Sequence, residues 1–85
     1  MIIKKKTWPE IFELVRTGKK RFEMRAADFE IKEGDTLILE EWDPKIKQYT
    51  GRKIEKKVDH VFHYDLNSFG QKEIMESRGF YVIQF

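Results

Sequence analysis

The hydrophobic positions change period several times along the chain. They fall first at Trp8, Ile11, Phe12, Leu14 and Val15, one stripe of a helix. Thr7-Trp8-Pro9-Glu10 fits a capping box, with Thr7 as N-cap, Glu10 three residues on and Pro9 in the first turn, where a missing N–H costs nothing. Gly18 stands at the expected C′ position. Arg21-Phe22-Glu23-Met24-Arg25 then alternates with period two. Phe22 and Met24 share one face and Arg21, Glu23 and Arg25 the other, which predicts a strand with a charged outward face. Glu33-Gly34-Asp35 is a turn signal. Thr36 to Trp42 follows, and its Leu37-Ile38-Leu39 run predicts a strand covered on both sides.

Asp43-Pro44 through Thr50-Gly51 reads as a hairpin connection, with Pro to start the turn and Gly to end it. Arg52 to Tyr64 is a long strand whose parity slips between Ile54 and Val58 and the later Val61, so a bulge or bend is expected near Asp59-His60. Leu66 to Arg78 is ambiguous, with room for a turn or two of helix at Gln71–Ser77. Phe80 to Phe85 is apolar on both faces and closes the chain as a buried strand. An opening strand, one capped helix and several mostly antiparallel strands make the class α+β, mainly β. The expected architecture is a small barrel with the first helix plugging or covering one end.

Length holds this to one domain over residues 1–85. Seven Phe, three Tyr and two Trp supply a dense small core. With no Cys there is neither a disulfide framework nor a thiolate metal site. No apolar run approaches a bilayer-spanning length, and the charges of Met1-Ile2-Ile3-Lys4-Lys5-Lys6 follow its apolar residues, the reverse of a signal peptide. A cytoplasmic protein without membrane contact is expected, as a monomer. Lys and Arg number 17 against 15 Asp and Glu, a net +2, so any nucleic-acid role must come from a local patch or pocket rather than a global field.

At Gly18-Lys19-Lys20-Arg21-Phe22-Glu23-Met24-Arg25 the chain resembles the Gly-x-Lys-x-x-Glu-x-Arg signature of the ASCH domains, a branch of the PUA-like superfamily. Trp8-Pro9 followed by Phe12 resembles the helix before that signature, and Gly34-Asp35 with the strand after it resembles the family's "GD" strand. Glu41-Trp42-Asp43-Pro44 with Tyr49-Thr50-Gly51-Arg52 is similar to a small ASCH-like subfamily of bacteria and their phages, and Gly79-Phe80-Tyr81-Val82-Ile83 to its last strand. The resemblance implies a PUA-like pseudo-barrel with Lys20, Glu23 and Arg25 facing a cleft beside the first helix. It also implies a role in binding RNA or a nucleotide.

In chemical terms, a guanidinium fork at Arg25 and a point charge at Lys20 suit a phosphate. Glu23 would orient the cations or accept from a base amino group. Trp8 and Trp42 are candidates for base stacking, although a strand-ending Trp42 suits the core. Tyr49 and Arg52 flank the hairpin, where they would rim the cleft or stand as an ordinary solvated turn. Some ASCH-type proteins are amidohydrolases that deacetylate N4-acetylcytidine, which would make Lys20 and Glu23 catalytic. In those proteins a hydroxyl residue stands where this chain has Glu23, so Lys20 alone carries over, and a second carboxylate would have to come from Glu73 or Glu76. An ordinary lysine, with a pKa near 10.4, is neutral in only about one molecule in 2,500 at pH 7, which weighs against an amine nucleophile. His60 and His63, three apart on a strand, point to opposite faces and make no metal site. No cofactor is expected. Lys4-Lys5-Lys6 and Lys53 with Lys56-Lys57 are small basic clusters that suit either a phosphate surface or plain solvent.

Overall fold

A computed structural model describes residues 1–64 and 79–85. The ambiguous 66–78 segment, with its expected helical turn at Gln71–Ser77 and the carboxylates Glu73 and Glu76, lies outside the described residues. In chain order the elements are β1 (Ile2–Thr7), α1 (Pro9–Arg16), β2 (Phe22–Ala26), β3 (Thr36–Asp43), β4 (Gln48–Lys57), β5 (His60–Tyr64) and β6 (Phe80–Gln84). The protein is mainly β with one described helix. Among the described residues the strands form two three-stranded sheets, ordered β1-β3-β4 and β2-β6-β5, rather than one closed cylinder.

Among the described residues, the parallel β1–β3 pairing is the one ladder that is not antiparallel. It sets Ile3 beside Leu37 and Lys5 beside Leu39, and it runs on to Thr7 beside Glu41. That corrects the reading of Thr7 as a helix cap. Its backbone is committed to the ladder and its side chain turns inward, so Trp8 is the N-cap and no side chain caps the helix. Pro9 does open α1, Phe12 and Val15 form its buried stripe, and Gly18 ends it at φ +82°. There a left-handed backbone is open to glycine without the Cβ penalty.

Leu37, Ile38 and Leu39 are all buried, Leu37 and Leu39 in the core and Ile38 on the outer face between the exposed Lys4 and Glu55. The turn after β3 is tighter than the sequence reading. It spans residues 44–47, and Thr50-Gly51 falls inside β4. The long Arg52–Tyr64 strand breaks where its parity slips. Val58 is buried and exchanges backbone hydrogen bonds with Gly34 and Asp35. Asp59 N–H donates to the Gln84 carbonyl, and β5 continues in the other sheet. The bend is thus a sheet crossover.

Val15, Ile31, Leu37, Leu39, Val58 and Ile83 form one buried cluster drawn from the helix, both sheets and the segments between them. Each such side chain contributes about 1.5–3 kcal/mol when fully buried. Among the described side chains of β6, Ile83 alone is buried; Val82 is half-buried on the other face and Gln84 is exposed, so the closing strand enters the core by one face and not by both. No described helix is long and apolar enough to cross a membrane.

Candidate functional site

The strand β2 carries the site, and it lies the other way round from the sequence expectation. Phe22 and Met24 are 47% and 64% exposed, whereas Glu23 is only 3% exposed. The cross-strand register gives the reason. Glu23 stands opposite Ile83 and Arg25 opposite Tyr81, so these two share the face that looks onto the core, while Arg21 lies exposed just before the strand. Phe22 and Met24 pair with Gln84 and Val82 on the outer face. Period two sorts residues into two faces but does not say which is covered.

A buried carboxylate must be paired, because an isolated charge in the interior is strongly disfavoured. Glu23 meets that demand at both oxygens. Lys20 Nζ donates to Oε1 at 3.0 Å and Arg25 Nε to Oε2 at 3.0 Å. Arg25 Nη2 also donates to the Lys6 carbonyl, tying β2 to the end of β1. Lys20 reaches this point because the chain turns sharply at the end of α1, with its N–H donating to the Leu14 carbonyl at 3.0 Å. Strict alternation ends at that turn, so Lys20 and Glu23 meet despite their opposite parity.

These groups line a cleft of about 280 Å³ between the end of β1, the start of α1 and β2. Its walls are Lys6, Thr7, Trp8, Ile11, Lys20, Glu23, Met24 and Arg25. Trp8, 57% exposed, stands at its rim. Two cations, Lys20 and Arg25, flank one carboxylate, and Lys6 adds its backbone carbonyl to the wall, so the cleft is cationic overall. Lys20 and Arg25 each keep N–H donors beyond those spent on Glu23 and Lys6. That arrangement suits the oxygens of an anion.

Of the residues singled out in the sequence, Lys20, Glu23, Arg25 and Trp8 come together here. Arg52 and Tyr49 do not line the cleft. Arg52 instead straps β4 to α1: its Nε donates to Glu41 Oε1 at 3.0 Å and its Nη2 to Glu13 Oε1 at 2.6 Å, with the guanidinium 4.6 Å from the Phe12 ring centroid. Arg16 and Arg52, in that order, hold the Glu13 carboxyl down at about 2. Arg52 and Thr50 likewise lower Glu41. Tyr49 lies on the outer face of its sheet, where the Lys6 ammonium sits 5.8 Å from its ring centroid and 4.5 Å from that of Trp42.

The sequence reading passed over Thr7, Ile11 and Met24 as cleft residues, and took Lys6 as part of a general basic cluster. Thr7 is the most informative. Its Oγ1 is buried with no hydrogen-bond partner, the one such side-chain atom among the described residues. A cap motif spanning a strand end hides this, since only the parallel ladder reveals which way the hydroxyl points.

Comparison with known proteins shows a phage relative. A protein of Escherichia phage P2, named an uncharacterized 12.9 kDa protein in the GpA 3' region, is 48% identical over 50 residues. That stretch is 59% of this chain and 44% of the phage protein, so the match spans less than half the relative's length. The family model for a domain of unknown function, DUF3850, matches residues 2–75, which takes in β1 to β5 and every wall of the cleft. With most of its length inside that match, the chain belongs to the DUF3850 family.

Proposed function

We propose that this protein is an RNA- or nucleotide-binding module whose ligand sits in the cleft beside α1. Arg25 and Lys20 contact phosphate, Glu23 orients them and accepts from a base edge, and Trp8 stacks. One observation carries the reading: the ammonium and guanidinium flank a single buried carboxylate on a cationic cleft with an exposed tryptophan at its rim. Burial of the carboxylate fixes both cations, and pre-positioned donors bind a phosphate without the entropy of ordering long side chains.

On the same resemblance we infer a PUA-like barrel of ASCH type. In its support, one core cluster serves both sheets, and the chain crosses between them at Val58–Asp59. The proposed setting is cytoplasmic, with the protein as a monomer.

Titration of uridine 5′-monophosphate and short RNA into isotope-labelled protein tests the proposal. Amide signals of residues 18–25 and of Trp8 should move, and Arg25→Ala should weaken binding at least about tenfold, as loss of a charge-assisted hydrogen bond does. Saturating ligand with no movement at those amides would sink it. The alternative, an amidohydrolase acting on N4-acetylcytidine through Lys20, needs an unengaged amine, whereas Lys20 Nζ donates to the Glu23 carboxylate. Hydrolysis abolished by Lys20→Ala would establish it instead.

A further inference from the structure

Four lysines far apart in the chain meet on one face of the β1-β3-β4 sheet. Along β1, Ile3, Lys5 and Thr7 turn inward and Lys4 and Lys6 outward. Along β4, Ile54 and Lys56 are partly covered, while Lys53 and Lys57 are exposed. The register sets Lys6, Glu40 and Lys53 in one row across the sheet, Lys4, Ile38 and Glu55 in the next, and Ile2, Thr36 and Lys57 beyond. The face therefore carries four cations against the carboxylates of Glu40 and Glu55. At its cleft end Trp42 pairs with Tyr49 across the hairpin, and Tyr49 is exposed. Lys6 belongs to both places. It lines the cleft, and its ammonium rests 4.5 Å from the Trp42 ring centroid and 5.8 Å from that of Tyr49.

We propose that this face is a track for single-stranded RNA leading out of the cleft, with Trp42 and Tyr49 as a stacking step and Lys4, Lys6, Lys53 and Lys57 as phosphate contacts. The inference rests on the cleft reading above and deepens it, since the ligand becomes a strand of several nucleotides rather than one. Aromatic faces interleaved with cations are what an unpaired strand requires: every base has a π face, and every linkage has a charge. Lys6 supplies the coupling. In the absence of RNA it occupies the aromatic pair through cation–π contact. A phosphate at the cleft mouth draws the ammonium away and leaves the rings open to a base. Four lysines against Glu40 and Glu55 give this face a local excess of two positive charges, the kind of patch that RNA needs on a chain of net charge +2.

The test compares the full chain's affinity for an eight-nucleotide uridine RNA and for uridine 5′-monophosphate over a range of salt. The RNA should bind at least about tenfold tighter. Tyr49→Ala should lower the ratio of RNA to mononucleotide affinity by about 5- to 150-fold, the range for one stacked base. Each phosphate contact adds about 0.7 to the slope of log affinity against log salt, so a triple Lys4→Gln, Lys53→Gln, Lys57→Gln variant should flatten it by about two. All four positions are exposed, and circular dichroism checks that the variants fold. Equal affinity for RNA and mononucleotide, both lost in Arg25→Ala, would overturn the track and leave the cleft reading standing. No binding of either ligand would overturn both. An oligomer or protein complex that masks the lysines while RNA fails to bind would make the face a protein interface instead.

Discussion

Thr7 and Glu23 are both buried polar side chains, and they stand at opposite ends of polar satisfaction. Glu23 has a cation on each oxygen, whereas the Thr7 hydroxyl has no partner. Leaving a buried hydroxyl unpaired costs about 1–3 kcal/mol, and an apolar group of the same shape removes that cost. Thr7→Val keeps the β-branched shape that suits the end of β1 and deletes the hydroxyl. It should raise stability by about 1 kcal/mol in urea unfolding. A loss of stability would show that the hydroxyl is bonded in solution. The residue types of the site were legible in the sequence, because Lys20, Glu23 and Arg25 stand out by spacing and resemblance. Their burial was not. The same alternation suits a strand with charges outward, and the choice between faces was made by Ile83 and Tyr81, about 60 residues away in the chain.

Among the elements, β4 shows how a local irregularity builds a contact. Between the Glu40–Lys53 and Trp42–Tyr49 pairs, β3 contributes Glu41 alone, while β4 contributes Thr50, Gly51 and Arg52. The bulge bends β4 so that Thr50 and Arg52 both donate to Glu41, Thr50 Oγ1 at 2.6 Å and Arg52 Nε at 3.0 Å. Gly51 makes the bend possible at φ +93°, with nothing within 4 Å of where a Cβ would stand. The cost of Gly51→Ala is therefore conformational rather than steric, about 1–2 kcal/mol by the usual penalty for an L residue with positive φ. Urea unfolding measures it, and an unchanged midpoint would mean that the bulge relaxes without strain. Gly51 was recognisable as a punctuating residue, and so was the turn at Pro44. Which of the two closed the hairpin depended on the side chains that the bulge aims at Glu41.

Across the whole molecule, acid sensitivity follows from the same strap. Glu13 titrates at about 2 in place of an ordinary 4.5, and Glu41 and Asp35 are also lowered, Asp35 chiefly by the Lys32 backbone N–H that its carboxylate accepts. Groups with depressed folded values bind fewer protons than they do in the unfolded chain, so stability rises with pH across that window. The contribution is complete above about pH 4.5 and is lost as pH falls toward 2. Melting temperature measured from pH 2 to 6 should climb and then level off. Arg52→Met should flatten the climb by releasing Glu41, yet leave part of it, because Arg16 is the larger influence on Glu13. A variant with an unchanged profile would remove Arg52 from this account.

By itself the sequence determined the elements and the chemistry at hand. Helical spacing with Pro9 and Gly18 marks α1, the Leu37-Ile38-Leu39 run marks the central strand, and the slipped parity marks the break before β5. Those signals are local, because backbone preference and periodicity act over a few residues. Only the tertiary structure decided which side of β2 is inside, that Arg52 braces a helix instead of rimming the cleft, and that lysines of β1 and β4 share a face with Trp42 and Tyr49. Each of these is set by register between distant strands, and the alternation within one strand is the same whichever way its neighbour turns it.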